Sequence, residues 1–146
     1  MSMVPALLVS TMCGLGWNLL AVRLMGGPWK EALSASWLAA GALAGALAGW
    51  FTVWSRRRRG GEESFAWVLA NFYVGILAYW ATFVVIERAR LCWNHRGWTD
   101  FDLIDHLGLI VWFVFYGTLY YGILLIPLTY VSRWLVWNVY ERTAAD

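Results

Sequence analysis

The sequence predicts an all-α membrane protein, a bundle of four transmembrane helices in up-down order with the N and C termini on the same side. Hydrophobic residues make up 61% of the 146-residue chain and charged residues 14%, whereas soluble domains carry about 45–50% and about 25%. The charges also leave four uncharged runs, at 1–22, 33–55, 65–86 and 107–132. Each run reaches the roughly 20 apolar residues that cross a bilayer as a helix.

The chemistry of the bilayer favours helices rather than strands for these runs. Hydrocarbon offers the backbone no hydrogen-bond partner, so a spanning segment must be a helix or part of a closed barrel. Barrel strands alternate polar and apolar residues, and these runs do not alternate. We therefore expect one transmembrane domain, 1–146, with helices at about 3–25, 30–55, 63–90 and 100–132.

Local signals define the ends of each helix in turn. The first helix ends at the Gly-Gly-Pro breaker at 26–28, and the lack of a basic residue before Arg23 predicts a retained helix rather than a cleaved signal peptide. The second stops at the arginines of 56–59, and the third begins at Glu63, where the helix dipole favours an acid. The uncharged run of the fourth is roughly 39 Å long, so that helix must tilt, kink at Pro127 or emerge from the hydrocarbon.

Basic residues indicate the orientation. Six of the 11 would lie on the side of the termini, and the run from Arg56 to Arg59 lies directly against a helix end, where the positive-inside effect is strongest. We expect this run and both termini on the cytoplasmic or equivalent side of an energy-transducing or cell inner membrane. Most of the 12 tryptophans fall near the predicted helix ends, at the headgroup level that indole prefers.

Small residues mark the surfaces on which we expect the helices to pack. Gly41, Gly45 and Gly49 recur every four residues in the second helix, and Gly14 and Gly75 lie on the polar-small faces of the first and third. Membrane helices associate through such close backbone contacts, because lipid provides little hydrophobic drive between them. The stripe is consistent with packing inside the chain and, as an alternative, with a docking face for another subunit.

Polar residues within the uncharged runs predict inward-facing surfaces. Asn18 and Asn71 share faces with small residues, and we expect them to stabilise packing, with a transport path as the alternative. They lie toward opposite ends of the bundle and are not expected to bond to each other. No ionisable residue falls at the centre of a predicted helix, which argues against a proton-coupled transporter.

A polar cluster precedes the last uncharged run. Asp102, Asp105 and His106 fall within little more than one helical turn, and Asp102 and His106 are spaced to share one face. Acids at a helix N-terminus usually complement its dipole, so we predict no metal or cofactor. The alternatives are a divalent-cation or proton-relay site, and haem or chlorophyll ligated by His106.

The sequence contains no catalytic motif such as G-x-S-x-G, CxxC, a P-loop or H-E-x-x-H, so we do not expect an enzyme. The leading hypothesis is a non-catalytic accessory subunit of a larger respiratory, photosynthetic or transport complex. Its expected partners are other integral membrane subunits and bound lipids. The net charge of +2 gives no reason to expect nucleic acid. The alternatives are a small homo-oligomeric transporter or channel and a pigment- or haem-binding electron-transfer subunit.

Overall fold

The computed structural model describes residues 3–24, 26–28, 30, 33–60, 63–95 and 103–145. These residues form four long helices, which are α1 (Val4–Leu24), α2 (Ala35–Arg58), α3 (Phe65–His95) and α4 (Leu103–Ala145). Within the described residues there is no strand. The predicted all-α fold class is confirmed at this level, with four long apolar helices.

The outer surface of the helices is apolar. By length and composition, segments in all four helices are long enough and apolar enough to cross a membrane. Large apolar side chains face outward on each helix, including Leu8 on α1, Leu43 on α2, Val85 on α3 and Ile123 on α4. Water would penalise so much exposed apolar surface, so the structure is compatible with an integral membrane protein.

Three helices differ in extent from the sequence expectation. α3 continues to His95 rather than ending near residue 90. α2 begins at Ala35 rather than near residue 30, because Ser34 has the extended backbone of an N-cap, at φ −68° and ψ 152°. α4 does not end near residue 132 but continues to Ala145, passing through Pro127. Tertiary packing explains the extension, since Val136 and Tyr140 beyond the predicted end are buried in a small apolar core.

Each helix packs against two neighbouring helices, and one pair also meets across the bundle. α1 packs against α2 and α4, α3 packs against the same two helices, and α2 meets α4 across the bundle. The apolar core at one end joins three helices through Ala6, Val53, Val136 and Tyr140. At the middle of α3, Trp80 stacks on Phe113 of α4, with ring centroids 4.4 Å apart.

Glycines bring the backbones of α1 and α2 into direct contact. A Cβ atom added to Gly14 would lie 2.2 Å from the carbonyl oxygen of Gly41, and one added to Gly45 would lie 2.5 Å from the carbonyl oxygen of Ser10. The Ser10 hydroxyl donates a 2.6 Å hydrogen bond to the carbonyl of Gly45 across the same contact. Residues larger than glycine would therefore push the two helices apart.

Candidate functional site

A cavity of about 140 Å³ lies between the helices, with residues of all four in its wall. Apolar side chains such as Trp17, Phe72, Ile76 and Trp80 form much of this wall. The polar members come from every helix and are Ser10, Asn18, Thr52, Asn71, Tyr79, Thr129, Ser132 and Arg133. Because a cavity of about 150 Å³ can hold benzene, this one has room for a solute of about six non-hydrogen atoms.

Arg133 is the charged residue of the cavity wall, and its side chain is 1% exposed. It lies inside the apolar segment Gly122–Ala145 of α4. Its Nη2 donates to Glu63 Oε1 at 2.9 Å and to Ser55 Oγ at 3.2 Å. Its Nε is 3.1 Å from Oε1 and 3.2 Å from Oε2 of Glu63. Both carboxylate oxygens of Glu63, just before α3, therefore face this guanidinium.

Arg56, in the last turn of α2, shares the same carboxylate. Its Nη2 is 2.5 Å and its Nε 2.7 Å from Glu63 Oε2, and its guanidinium lies 5.5 Å from the ring centroid of Trp137. We call Arg56, Glu63 and Arg133 the charge cluster. These three side chains, two guanidinium groups and one carboxylate, have exposures of 9%, 14% and 1% for Arg56, Glu63 and Arg133, which shield them from water.

Two buried polar atoms of the cavity residues lack a hydrogen-bond partner in the described part of the chain. They are Nη1 of Arg133 and Oδ1 of Asn71, and the exposed fraction of Asn71 is 3%. Buried polar groups in native proteins are nearly always satisfied, so each exception needs an explanation such as a bound water or ligand. Nη1 and Oδ1 are exceptions of this kind, and each is enclosed by the surrounding protein atoms.

The other polar groups of the wall are held by hydrogen bonds within the protein. Tyr79 donates to Asn18 Oδ1 at 2.6 Å, and the Trp17 indole donates to Ser132 Oγ at 3.0 Å. The hydroxyl groups of Thr52, Thr129 and Ser132 each donate to a carbonyl one turn earlier in their own helix. Their protons are therefore committed to bonds within the protein, and Arg133 is the charged residue among those that line the cavity.

The glycines predicted for helix packing lie at two kinds of position. Gly14, Gly41, Gly45 and Gly49 lie in the contact between α1 and α2, where an added Cβ would overlap α1 or α2 atoms. Gly75 lies outside this contact, and its added Cβ would be 3.9 Å from the Cβ of Ala48, an ordinary contact. Gly75 lines the cavity, as do Gly14 and Gly45. The stripe of α2 thus faces a helix of the same chain.

The predicted polar cluster at the start of α4 is described only in part. His106 is buried and has an interaction partner, whereas Asp105 is exposed. Asp102 lies outside the described residues. Among the residues the structure describes, no group of three His, Cys, Asp or Glu side chains could hold a metal ion. The hypothesis of a haem or chlorophyll on His106 stays a prediction.

The charge cluster was not predicted from the sequence. From the sequence, Arg133 was expected to lie just beyond the end of the last helix. Glu63 was expected to complement the dipole of the third helix at its N-terminus. No ionisable residue was predicted at a helix centre, with the last helix ending near residue 132. Because α4 continues on both sides of Arg133, this arginine lies inside the helix rather than beyond its end. The apolar residues that follow, including Val136 and Trp137, were the signal that could have revealed a charge interrupting an apolar helix.

The four apolar helices and the buried charge cluster define a class of protein, a helical protein compatible with membrane integration that has a mainly apolar cavity with a few polar residues inside its bundle. Comparisons with protein-family models, curated proteins and solved structures found no significant match to the chain.

Proposed function

We propose that this protein is a non-enzymatic membrane transporter or channel that takes a small polar solute into the interhelical cavity, acting as a homo-oligomer. The observation that carries the proposal is the burial of Arg133 in the cavity wall. An ionisable side chain inside an apolar helix is costly in a membrane and marks solute and ion pathways. The hypothesis of a purely structural subunit depended on the absence of such a residue, so Arg133 favours the transporter alternative.

The cavity also unites the two polar faces that the transporter alternative invoked. Asn18 of α1 and Asn71 of α3 both line it, although Asn18 is bonded to Tyr79 rather than to Asn71. Polar groups from opposite ends of the bundle thus border one interior space. The wall is mainly apolar, and these few polar groups together with Arg133 support entry of a small solute into it.

The orientation in the membrane is part of the proposal. Gly45 contacts Ser10 whereas Gly41 contacts Asn18, so residue numbers rise along α2 as they fall along α1. Similar contacts join Trp37 to Phe83 and Phe51 to Trp67 in the next pair of helices. These pairs support an up-down bundle with both termini on one side. We place that side, with the arginines of 56–59, in the cytoplasm or its equivalent at an inner membrane.

The test is solute entry into proteoliposomes that contain the purified protein alone. Stopped-flow light scattering would measure entry of a panel of small solutes, including neutral ones such as urea and glycerol and small organic anions. We expect entry of at least one solute faster than into empty liposomes. Asn71→Leu and Arg133→Met should slow it, because they alter the cavity wall. Arg57→Met is the matched control, since Arg57 is exposed beside Arg56 and does not line the cavity.

Equal entry rates in protein-containing and protein-free liposomes for every solute would refute the proposal. Entry that is unchanged in Asn71→Leu and Arg133→Met would also count against it, because the solute would then bypass this cavity.

The accessory-subunit hypothesis remains a second candidate, and the outward face of α4 favours it. Trp112 and Tyr120 are 57% and 70% exposed, and with Tyr116 they form a row whose ring centroids are 4.5 and 5.7 Å apart. Aromatic surface of this kind suits packing against a neighbouring helix or ordered lipid.

Native purification in mild detergent separates these candidates. A large particle with other chains in fixed stoichiometry would support the subunit hypothesis, and a small homo-oligomer would contradict it. A visible absorption spectrum of the same peak tests the pigment hypothesis, since a haem or chlorophyll on His106 would colour the protein and His106→Ala would remove the colour.

A further inference from the structure

We infer that the solute of the cavity is uncharged, with a mainly apolar body and one group that donates a hydrogen bond, as in a short-chain alcohol. This inference rests on the proposed function and names the class of solute. Three features of the wall lead to it, namely the bonding of its charged residue, the state of its hydroxyl groups, and its apolar lining and size.

Arg133, the charged residue among the described residues of the wall, is occupied within the protein. Its Nε and Nη2 donate to Glu63 and Ser55, and its Nη1 is enclosed by the surrounding protein atoms. The carboxylate of Glu63 is bonded to Arg133 and Arg56 and does not line the cavity. An ion that entered this space would lose its hydration without such a partner, which costs far more than the transfer of a neutral group. The wall therefore favours an uncharged solute.

Two hydroxyl groups of the wall can accept a hydrogen bond from a solute. Thr52 and Thr129 line the cavity, and each donates its proton to the carbonyl four residues earlier in its helix. A hydroxyl oxygen has two lone pairs besides its proton, so both oxygens keep the capacity to accept. Thr129 is the more accessible of the two, because it is half-buried whereas Thr52 is 1% exposed. A solute that donates a hydrogen bond therefore suits this wall.

The lining and the size of the cavity favour an apolar body on this solute. The wall includes the aromatic and aliphatic side chains of Trp17, Phe72, Ile76 and Trp80, against which an alkyl chain is removed from water. A volume of about 140 Å³ matches about six non-hydrogen atoms, by comparison with the benzene-sized cavity of about 150 Å³. Pentanol has this number of atoms, with one hydroxyl group at the end of an alkyl chain.

The test compares four probes of equal size by how well they protect Cys13, which lines the cavity, from modification. The full-length protein with Cys92→Ser, in lipid nanodiscs, reacts with N-ethylmaleimide, and mass spectrometry follows the rate. The probes are pentanol, ethyl propyl ether, which accepts but does not donate hydrogen bonds, and the ions butyrate and pentylammonium. We expect pentanol to protect at the lowest concentration, the ether at a concentration about 2- to 10-fold higher, the effect of one neutral hydrogen bond, and the ions not at all.

The matched control is a thiol at the neighbouring position of α1. Met12→Cys, combined with Cys13→Ser and Cys92→Ser, places the single thiol on the outer surface, because Met12 is 70% exposed. Pentanol should not protect this thiol, so the control measures any general effect of the alcohol on the bilayer. Equal protection of the two thiols would overturn the inference.

Two variants change the wall itself. Gly75→Val fills part of the cavity, because the added Cβ meets only an ordinary contact with Ala48, and should abolish protection by pentanol. Thr129→Val keeps the shape of the side chain but removes the accepting oxygen, and should weaken protection by pentanol about 2- to 10-fold without changing that by the ether. The comparison of the four probes on Cys13 stands even if either variant fails to fold.

The outcomes distinguish the inference from the proposed function. If the ether or either ion protects Cys13 as well as pentanol does, or if no probe protects it while urea or glycerol still enters proteoliposomes, the inference is overturned and the proposed function stands. If neither protection nor entry of any solute occurs, both are overturned. Selective protection by pentanol supports the inference, and in the absence of solute entry it would leave a binding site and overturn only the proposed function.

Discussion

Arg133 donates a 2.9 Å hydrogen bond to Glu63, a residue 70 positions earlier in the chain. The bond joins the interior of α4 to the segment just before α3, and Arg56 brings the end of α2 to the same carboxylate. Three helices therefore meet at one acidic side chain. The cluster encloses charge inside an otherwise apolar bundle, which makes it both a structural junction and the charged end of the cavity.

Removal of the shared carboxylate should destabilise the bundle strongly. Glu63→Gln leaves two buried guanidinium groups without a counter-charge, and breaking a buried ion pair costs about 3–5 kcal/mol. Arg133→Met should cost less, because it leaves a neutral pair of Arg56 and Glu63. Reversible unfolding in mixed micelles would measure both free energies. Glu141→Gln is the control, since Glu141 is exposed on α4. Equal stability of Glu63→Gln and Glu141→Gln would show that the cluster contributes nothing.

Alanine substitutions at two glycines should have different effects. In Gly45→Ala the new Cβ would lie 2.5 Å from the carbonyl oxygen of Ser10, and overpacking of this kind costs about 1–3 kcal/mol. In Gly75→Ala the Cβ meets only Ala48 at 3.9 Å, so the higher helix propensity of alanine should leave stability unchanged or raise it by up to about 1 kcal/mol. The same unfolding measurement compares the two. Similar losses for both variants would contradict the direct backbone contact of α1 and α2.

The hydrogen bond between Tyr79 and Asn18 should stabilise the contact between α3 and α1. Tyr79→Phe removes the donor of this bond to Asn18, which is 2% exposed. We expect a loss of about 0.6–2 kcal/mol, the range from membrane double-mutant cycles to soluble proteins. Tyr73→Phe serves as the control because Tyr73 is 41% exposed. A stability equal to that of the control would mean that the bond does not contribute in the membrane.

Labelling of single cysteines should reveal the proposed arrangement in the membrane. In a variant whose native Cys13 and Cys92 are replaced by serine, Arg58→Cys and Ala145→Cys introduce thiols at exposed positions. A membrane-impermeant maleimide should reach both from the same side. Asn94→Cys, exposed near the end of α3, should be labelled from the opposite side. Labelling of all three from one side would exclude the up-down bundle.

The limits of sequence reasoning are clear in the arginine run. Charge alone predicted a solvated helix end for all four arginines, and Arg57, Arg58 and Arg59 are indeed exposed. Arg56 is buried because each residue of a helix is rotated by about 100° from the last, which turns this one toward Glu63. The rotation of a helix about its axis depends on its neighbours, so the four residues could not be distinguished from the sequence.

The packing glycines also separate what the sequence could predict from what only the structure shows. Their spacing predicted a smooth surface on α2, but not whether α1 or another chain would cover it. The structure places Gly14 of α1 against it. Asn71 was predicted to face inward. That it lines the same cavity as Asn18 depended on how the four helices are arranged around the centre of the bundle.

The sequence by itself determined the helical class and the four long apolar segments, because hydrocarbon-length uncharged runs leave the backbone few other ways to satisfy its hydrogen bonds. Only the tertiary structure decided that Arg133, Glu63 and Arg56 meet, and that a cavity lies beside them. Contacts across 70 residues depend on the rotation, depth and pairing of whole helices. Those quantities are set by side-chain packing among all four helices together, and no local pattern encodes them.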